Sequence, residues 1–368
     1  MTNLRRFGVL TLGLASVLAA MFHSGTAASY KQGSGKRGRP GRAPLTVLQS
    51  SRKLLEASPE KKSLAAPTKT GQYALSLGAD GSVTAFDRGG KFVKRIPLSA
   101  RDARALAVDS SNNIYLAGAD SVLRVFNFEG RQLKEFPIPD GGSVGVLSDG
   151  NVVVAAPSGG KLLHLFSPAG EPLSSFADVK AYDADARENE FLNRGKVVVG
   201  PSDEIYLVSV YAPLPYVARF TERGALIKEF IVDGDAVAFQ KEKADGFLAE
   251  RKPNMTGGVT VINSAAVEPA TGHLWVALNG LSTTATLYEY DSSGVKLREY
   301  ALLGASPSGS RNITHPKDII VDGASIRVLS WGELYDFNQS DAVGGAGSAR
   351  NRAKAGRWAW DVFLVTGR

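Results

Sequence analysis

Apolar positions along the chain recur in short alternating runs that predict strands rather than helices. An aromatic residue is followed by glycine four positions later, and an apolar residue follows six positions after the glycine. Five instances occur in order: Phe86–Gly90–Ile96, Phe126–Gly130–Phe136, Phe166–Gly170–Phe176, Phe220–Gly224–Phe230 and Tyr290–Gly294–Tyr300. Each instance predicts a β-hairpin, because a strand, a tight glycine turn and a returning strand follow one another.

Two further apolar runs precede each hairpin, at 105–108 and 114–117 in the second unit and at 264–267 and 274–277 in the fifth. A sixth unit begins at residues 318–321 and continues through 326–329 and 334–337. Four short strands per unit, repeated about every 40 residues, are typical of propeller blades, which need their neighbours to bury both faces. The sequence therefore predicts an all-β fold, a β-propeller of about six four-stranded blades with short helical loop insertions.

The second unit, residues 107–130, has the sequence AVDSSNNIYLAGADSVLRVFNFEG, which resembles the repeat of the NHL-type propeller family. The resemblance spans roughly residues 72–365 and is best in the second and fifth units. It implies a six-bladed propeller. It implies no particular activity, because such propellers serve as binding modules, lyases and lactonases alike.

The closure of the ring has two interpretations in the sequence. The late apolar run at 358–365 either completes the sixth unit or supplies a strand missing from the first. A seventh blade hidden in residues 231–262 is the main competitor to six. Helical spacing over 235–251, and a second short helix over 183–192, favour six blades with helical connections.

The N-terminal residues predict a secretory signal peptide. Arg5 and Arg6 precede an apolar stretch over 7–22, and small residues at 25–28 offer a cleavage site near Ala28. The stretch is shorter than the roughly 20 residues that span a bilayer, so no transmembrane anchor is expected after cleavage. The sequence predicts a secreted or periplasmic protein with a signal peptide at 1–27, a basic flexible linker at 28–70 and the propeller at 71–368.

The formal net charge of +7 belongs mainly to the N-terminal region. Residues 1–62 hold 11 of the 43 Lys and Arg residues but only two of the 36 acidic residues, so the remainder has a net charge of −2. A nearly neutral domain is not expected to bind nucleic acid. The chain has no cysteine, which excludes disulfides and thiolate metal sites. We expect a monomer.

Three long connections, at 177–195, 231–261 and 301–316, follow consecutive units and predict a lid over one face of the ring. Polar residues at the starts of first strands, and residues between second and third strands, should lie at the same face. The ligand-binding candidates are Arg104, Asn193, Arg194, Tyr211, Asn263, Asn279, His315, Lys317, Asp318 and Trp331. Such a mixture suits a small polar ligand or a protein segment, and Arg194 with Lys317 favours an anionic group.

Two functions of different classes remain open from the sequence. The first is a ligand- or protein-binding scaffold that needs no catalysis and no cofactor. The second is a lactonase-like hydrolase or lyase with a divalent metal in the central channel. Calcium is expected only in that second case, with Asp318, Asn263 and Asn193 as oxygen ligands.

Overall fold

The structure, a computed structural model, describes most of the chain from residue 45 onwards. The described residues are 45–54, 65–67, 73–78, 80–87, 91–98, 100, 102–211, 214–251, 256–279, 287–305, 311–313, 316–323, 325–334 and 354–364. They all belong to one compact unit, Ala43–Arg368.

Four consecutive sheets each contain four antiparallel strands in sequence order, as the repeat predicts. Their strands are β2 (Ala65–Pro67), β3 (Tyr73–Leu77), β4 (Val83–Asp87) and β5 (Phe92–Ile96); β6 (Ala103–Val108), β7 (Ile114–Gly118), β8 (Val122–Phe126) and β9 (Gln132–Pro137); β10 (Ser143–Val146), β11 (Val152–Ser158), β12 (Lys161–Phe166) and β13 (Pro172–Asp178); and β14 (Gly195–Val199), β15 (Ile205–Ser209), β16 (Tyr216–Phe220) and β17 (Leu226–Ile231).

The fifth sheet has nine strands and contains both the fifth and the sixth sequence units. Its strands are β1 (Leu45–Leu54), β18 (Ile262–Val267), β19 (Leu274–Leu278), β20 (Leu287–Tyr290), β21 (Lys296–Ala305), β22 (Arg311–Ile313), β23 (Pro316–Asp322), β24 (Ser325–Leu334) and β25 (Lys354–Leu364). The first half of β1 pairs in parallel with β21, and its second half pairs antiparallel with β25. A single strand thus joins the outer edges of two units.

The innermost strands follow one another around a ring. β2, β6, β10, β14, β18 and β23 contact each other in that order, and β23 contacts β2. The molecule is a β-propeller, but it has five sheets rather than the predicted six, because β1 merges the last two units. The C-terminal strand β25 pairs with β24. It therefore completes the sixth unit, which is the first of the two interpretations of ring closure.

The glycine of the repeated motif marks a contact between neighbouring units. A Cβ atom added to Gly224 would lie 2.5 Å from Phe176, the last residue of the motif in the preceding unit, and one added to Gly294 would lie 2.5 Å from Phe230. The hairpin turns of the second to fifth units therefore each pack directly on the outer strand of the unit before them. The spacing of the motif therefore reflects two requirements, the hairpin turn within a unit and the packing of that turn on the preceding unit.

Two helices interrupt the strands, as the helical spacing predicts. α1 (Ala186–Leu192) lies between β13 and β14, and the Asp185 side chain caps it by accepting a hydrogen bond from the Arg187 backbone N–H. α2 (Asp235–Glu250) lies between β17 and β18. A helix at 235–250 excludes the additional blade considered for residues 231–262.

Three expectations need correction. β1 and β2 fall within the 28–70 segment expected to be a flexible linker, because their backbone groups pair with β21, β25 and β3. The propeller therefore begins well before residue 71. Residues 301–305 and 311–313 of the connection at 301–316 form parts of strands β21 and β22 rather than a lid loop, and 306–310, 314 and 315 lie outside the described residues. The third strand of the sixth unit is β25 rather than 334–337, of which only residue 334 is described.

Candidate functional site

Four innermost strands carry a polar residue at the same register position. Ser143 faces Ala155, Lys196 faces Val208, Ser264 faces Ala277 and Asp318 faces Leu329, each opposite the equivalent residue of the second strand. In the second unit, this position is Ala105. The third to sixth units therefore direct polar groups toward the centre of the ring, where a wholly apolar sheet would be the simpler solution.

Lys196 reaches across the ring from β14 to β23. Its Nζ lies 2.5 Å from Asp318 Oδ1 and donates to Ser264 Oγ at 2.8 Å. The Ser264 hydroxyl donates to the same Asp318 oxygen. Asp318 and Ser264 are 2 % and 0 % exposed, whereas the Lys196 side chain is 23 % exposed. The arrangement is an ion pair whose carboxylate is buried and whose lysine side chain is partly exposed.

Three innermost strands, β6, β18 and β23, each contain a β-bulge directly after their first paired residue. Arg104, Asn263 and Lys317 are the extra residues, since their neighbours on both sides pair with consecutive residues of the second strand. A bulge redirects a side chain away from the regular alternation of a strand. Arg104 and Lys317 are exposed as a result.

A chain of polar contacts links the fourth unit to the sixth at this end of the ring. Tyr211 forms an isolated bridge with Thr260. The Thr260 carbonyl accepts a hydrogen bond from Asn279 Nδ2 at 2.9 Å, and Asn279 Oδ1 accepts one from Asn263 Nδ2 at 3.3 Å. Asn263 Nδ2 also donates to the Pro316 carbonyl at 2.8 Å, immediately before Lys317.

An aromatic pair borders this chain. The rings of Phe191 and Tyr211 have centroids 4.5 Å apart, and the guanidinium carbon of Arg194 lies 5.4 Å from the Phe191 centroid. Both rings are half-buried and Arg194 is exposed. We call the surface formed by Arg194, Lys196, Tyr211, Asn263 and Lys317 the mouth.

The helices α1 and α2 meet beside the mouth through a shared arginine. Arg251, which follows α2, forms ion pairs with Asp183 Oδ2 at 2.7 Å and with Glu188 of α1. Glu188 Oε2 also accepts a hydrogen bond from the Gly257 N–H at 3.3 Å. Two of the three predicted lid connections therefore lie together on one face.

The remaining candidates have different surroundings. Asn193 is 4 % exposed, and its amide holds the end of α1 through the Lys180 N–H, the Lys180 carbonyl and the Asn189 carbonyl. Arg104 is paired with Asp140 at 2.7 Å. His315 lies outside the described residues, and Trp331 is placed in β24 by its backbone alone. Sequence reasoning missed Lys196 and Phe191; the register of first and second strands signals Lys196.

The calcium interpretation does not fit the contacts of its proposed ligands. Asp318 Oδ1 already binds an ammonium group, and Asn193 Oδ1 accepts a hydrogen bond from the Lys180 N–H, so two of the three proposed oxygen ligands are engaged. The described residues contain no group of three His, Cys, Asp or Glu side chains arranged for a metal ion. Lys196 does not act as a base toward Ser264, because its ammonium donates to the Ser264 hydroxyl.

Comparisons with known proteins show no family for this chain. No family model matches the chain, and no curated protein matches it. A protein of unknown function from Bacteroides caccae is similar at 13% identity and a TM-score of 0.43, over 71% of this chain and 83% of that one. The structure of U3-55K is similar at 11% identity and a TM-score of 0.47, over 82% and 79% of the two chains. Likeness at this level carries no argument about function.

Within the part of the chain that the structure describes, no helix combines the length and apolar character that crossing a bilayer requires.

Proposed function

We propose that this protein is an exported, NHL-like β-propeller that acts as a ligand- or protein-binding scaffold without catalysis, and that its ligand binds at the mouth. The signal-like N-terminal sequence supports export to the periplasm or beyond. The resemblance of the second and fifth units to the NHL repeat supports the family.

The observation that carries the binding proposal is the pair of exposed cations at the mouth. Among the described residues, Arg194 and Lys317 form no ion pair, whereas Arg104, Lys161, Lys180 and Lys241 each have a carboxylate partner. The ion pair between Lys196 and Asp318 draws the starts of β14 and β23 together. Arg194 and Lys317 therefore flank one opening and offer two cations to an anionic group.

A thermal-shift screen of polar and anionic ligands tests this proposal. The wild type is compared with the double variant Arg194→Ala/Lys317→Ala and with the control Lys91→Ala/Arg223→Ala. Lys91 and Arg223 are exposed cations in hairpin turns between third and fourth strands, and the Arg223 side chain is 90% exposed. A ligand at 100 times its Kd stabilises by about 2.7 kcal/mol, which a melting curve resolves easily.

We expect hits whose shift persists in the control and disappears in the mouth variant. Equal shifts in all three proteins for every hit would contradict binding at the mouth. Fractionation of the source cell and N-terminal sequencing of the recovered protein test export separately. Recovery of a chain that retains Met1 in the membrane fraction would contradict cleavage near Ala28.

A further inference from the structure

The ammonium group of Lys196 has hydrogen-bonding capacity left for a ligand. A lysine ammonium has three N–H donors. Two are directed at Ser264 Oγ and Asp318 Oδ1. No further partner is found among the described residues, and the side chain is 23 % exposed at the mouth. Within the part of the chain that the structure describes, the third donor therefore has no partner.

The charges around Lys196 do not balance. Asp318 neutralises one positive charge, whereas Arg194, Lys196 and Lys317 contribute three. Asp183, Glu188 and Arg251 beside the mouth add one net negative charge, so an excess of positive charge remains. An uncompensated cluster of cations is stabilised when an anion of matching charge binds it.

The arrangement of these cations suits two separate anionic groups better than one compact anion. Arg194 immediately precedes β14 and Lys317 lies in β23, and β18 lies between those two strands in the ring. Beside Arg194, the rings of Phe191 and Tyr211 give an apolar border that matches the methylene groups between two carboxylates. A guanidinium also binds a carboxylate in a bidentate geometry.

We infer that the mouth binds a small dicarboxylate, with one carboxylate on Arg194, the other on Lys317 and the third N–H of Lys196 donated to one of them. This inference rests on the proposed function, because it assigns a ligand class to the same surface. Lys196 is the central contact, and the buried Ser264 and Asp318 are positioning residues that hold its ammonium at the opening.

Isothermal titration of the full mature chain with malonate, succinate, glutarate and adipate tests the inference. Acetate, sulfate and inorganic phosphate serve as comparison ligands. We expect an optimum chain length at which the dicarboxylate binds at least about ten-fold more tightly than acetate or either compact anion. Arg194→Ala and Lys317→Ala should each weaken that ligand about ten-fold or more, since each removes a charged hydrogen bond.

Lys196 requires a compensated variant, because Lys196→Met alone leaves the Asp318 carboxylate buried without its cation. Lys196→Met/Asp318→Asn removes both charges, and a melting temperature measured in the same experiment confirms that it is folded. We expect this variant to weaken the dicarboxylate about ten-fold or more, while Lys91→Ala/Arg223→Ala binds as the wild type does.

Two results would overturn the inference. One is a flat affinity series in which all four dicarboxylates bind no better than acetate. The other is a dicarboxylate whose affinity is unchanged by Arg194→Ala, Lys317→Ala and the compensated variant. If a ligand of another class is still lost in Arg194→Ala/Lys317→Ala, the binding function stands and only the ligand class is wrong. If no ligand distinguishes that variant from the control, both proposals are wrong.

Discussion

Replacing Gly224 with alanine tests whether the repeat motif encodes contacts between units. Gly224 has a φ of +86°, a left-handed conformation that costs a residue with a side chain about 1 kcal/mol. The new Cβ would also lie 2.5 Å from Cδ1 and 2.6 Å from Cγ of Phe176 in the preceding unit. Inserting a methyl group into a packed contact costs about 1–3 kcal/mol more.

A second glycine separates the two costs. Gly272 has a φ of +70°, but an added Cβ would meet no atom within 4 Å. Gly272→Ala should therefore lose about 1 kcal/mol and Gly224→Ala about 2–4 kcal/mol. In a domain of this size, Tm falls by about 2–4 °C for each kcal/mol, so the two variants should differ by several degrees.

Urea unfolding followed by circular dichroism measures both variants against the wild type. The variant Phe176→Ala provides a further test, because Gly224→Ala made in that background should cost only the backbone term of about 1 kcal/mol. Equal losses for Gly224→Ala and Gly272→Ala, or an unchanged cost without the Phe176 ring, would refute the idea that the motif glycine exists for packing between units.

Two further predictions concern the helical connections and the buried phenols. Arg251→Ala should leave the Glu188 carboxylate buried without its cation, so amide hydrogen exchange should accelerate in α1 and α2. The control Lys241→Ala removes an exposed ion pair and should change the exchange rates little. Unchanged exchange in α1 of the Arg251→Ala variant would contradict this prediction. Burial raises the pKa of Tyr182 and of Tyr300 to about 12. The folded state therefore favours the neutral phenols, and their contribution to stability is complete below pH 10 and declines between pH 10 and 12. Urea unfolding at pH 9, 10 and 11.5, with phenolate absorbance at 295 nm, checks this; constant stability above pH 10 would contradict it.

The sequence predicts the repeated parts of this fold well, for a physical reason. In the hairpins of the second to fifth units, a third-strand aromatic is buried and a glycine with positive φ makes the turn, as with Phe126 and Gly130. Both requirements are local, so they appear at fixed spacing in the chain. The two helices are predictable for the same reason, because each is a continuous segment with its own spacing and end signals.

The sequence predicts poorly what depends on distant segments. β1 carries no motif that distinguishes it from a linker, and it becomes a strand because β21 and β25 offer it two unpaired edges. Pairing between residues about 250 positions apart, such as Leu45 with Glu299, leaves no local signature. The merging of two units into one sheet, and hence five sheets rather than six, follows from that single strand.

Sequence reasoning predicts which end of the strands carries the candidate site, but it does not predict all of the residues that form the mouth. Arg194, Lys317 and Asn263 were identified because they stand at the starts of first strands. Lys196 was missed because it lies inside β14, where alternation predicts a packed side chain, and only the register with β15 shows its equivalence to Asp318. The binding role of these residues stays a prediction until the ligand experiments are made.

The mouth shows how one repeated frame presents different side chains. The register position shared by Lys196, Ser264 and Asp318 is fixed by the sheet, and these three residues satisfy one another at the centre of the ring. The exposed residues Lys317 and Arg194 are instead placed by local features that interrupt the regular strand register. A bulge places Lys317 at the start of β23, and the end of α1 places Arg194 just before β14. Because both side chains are exposed and form no ion pair among the described residues, Arg194 and Lys317 can change with little loss of stability. Substitutions at Lys196 or Asp318 disturb a buried charge instead, so binding and folding can be separated experimentally at this surface.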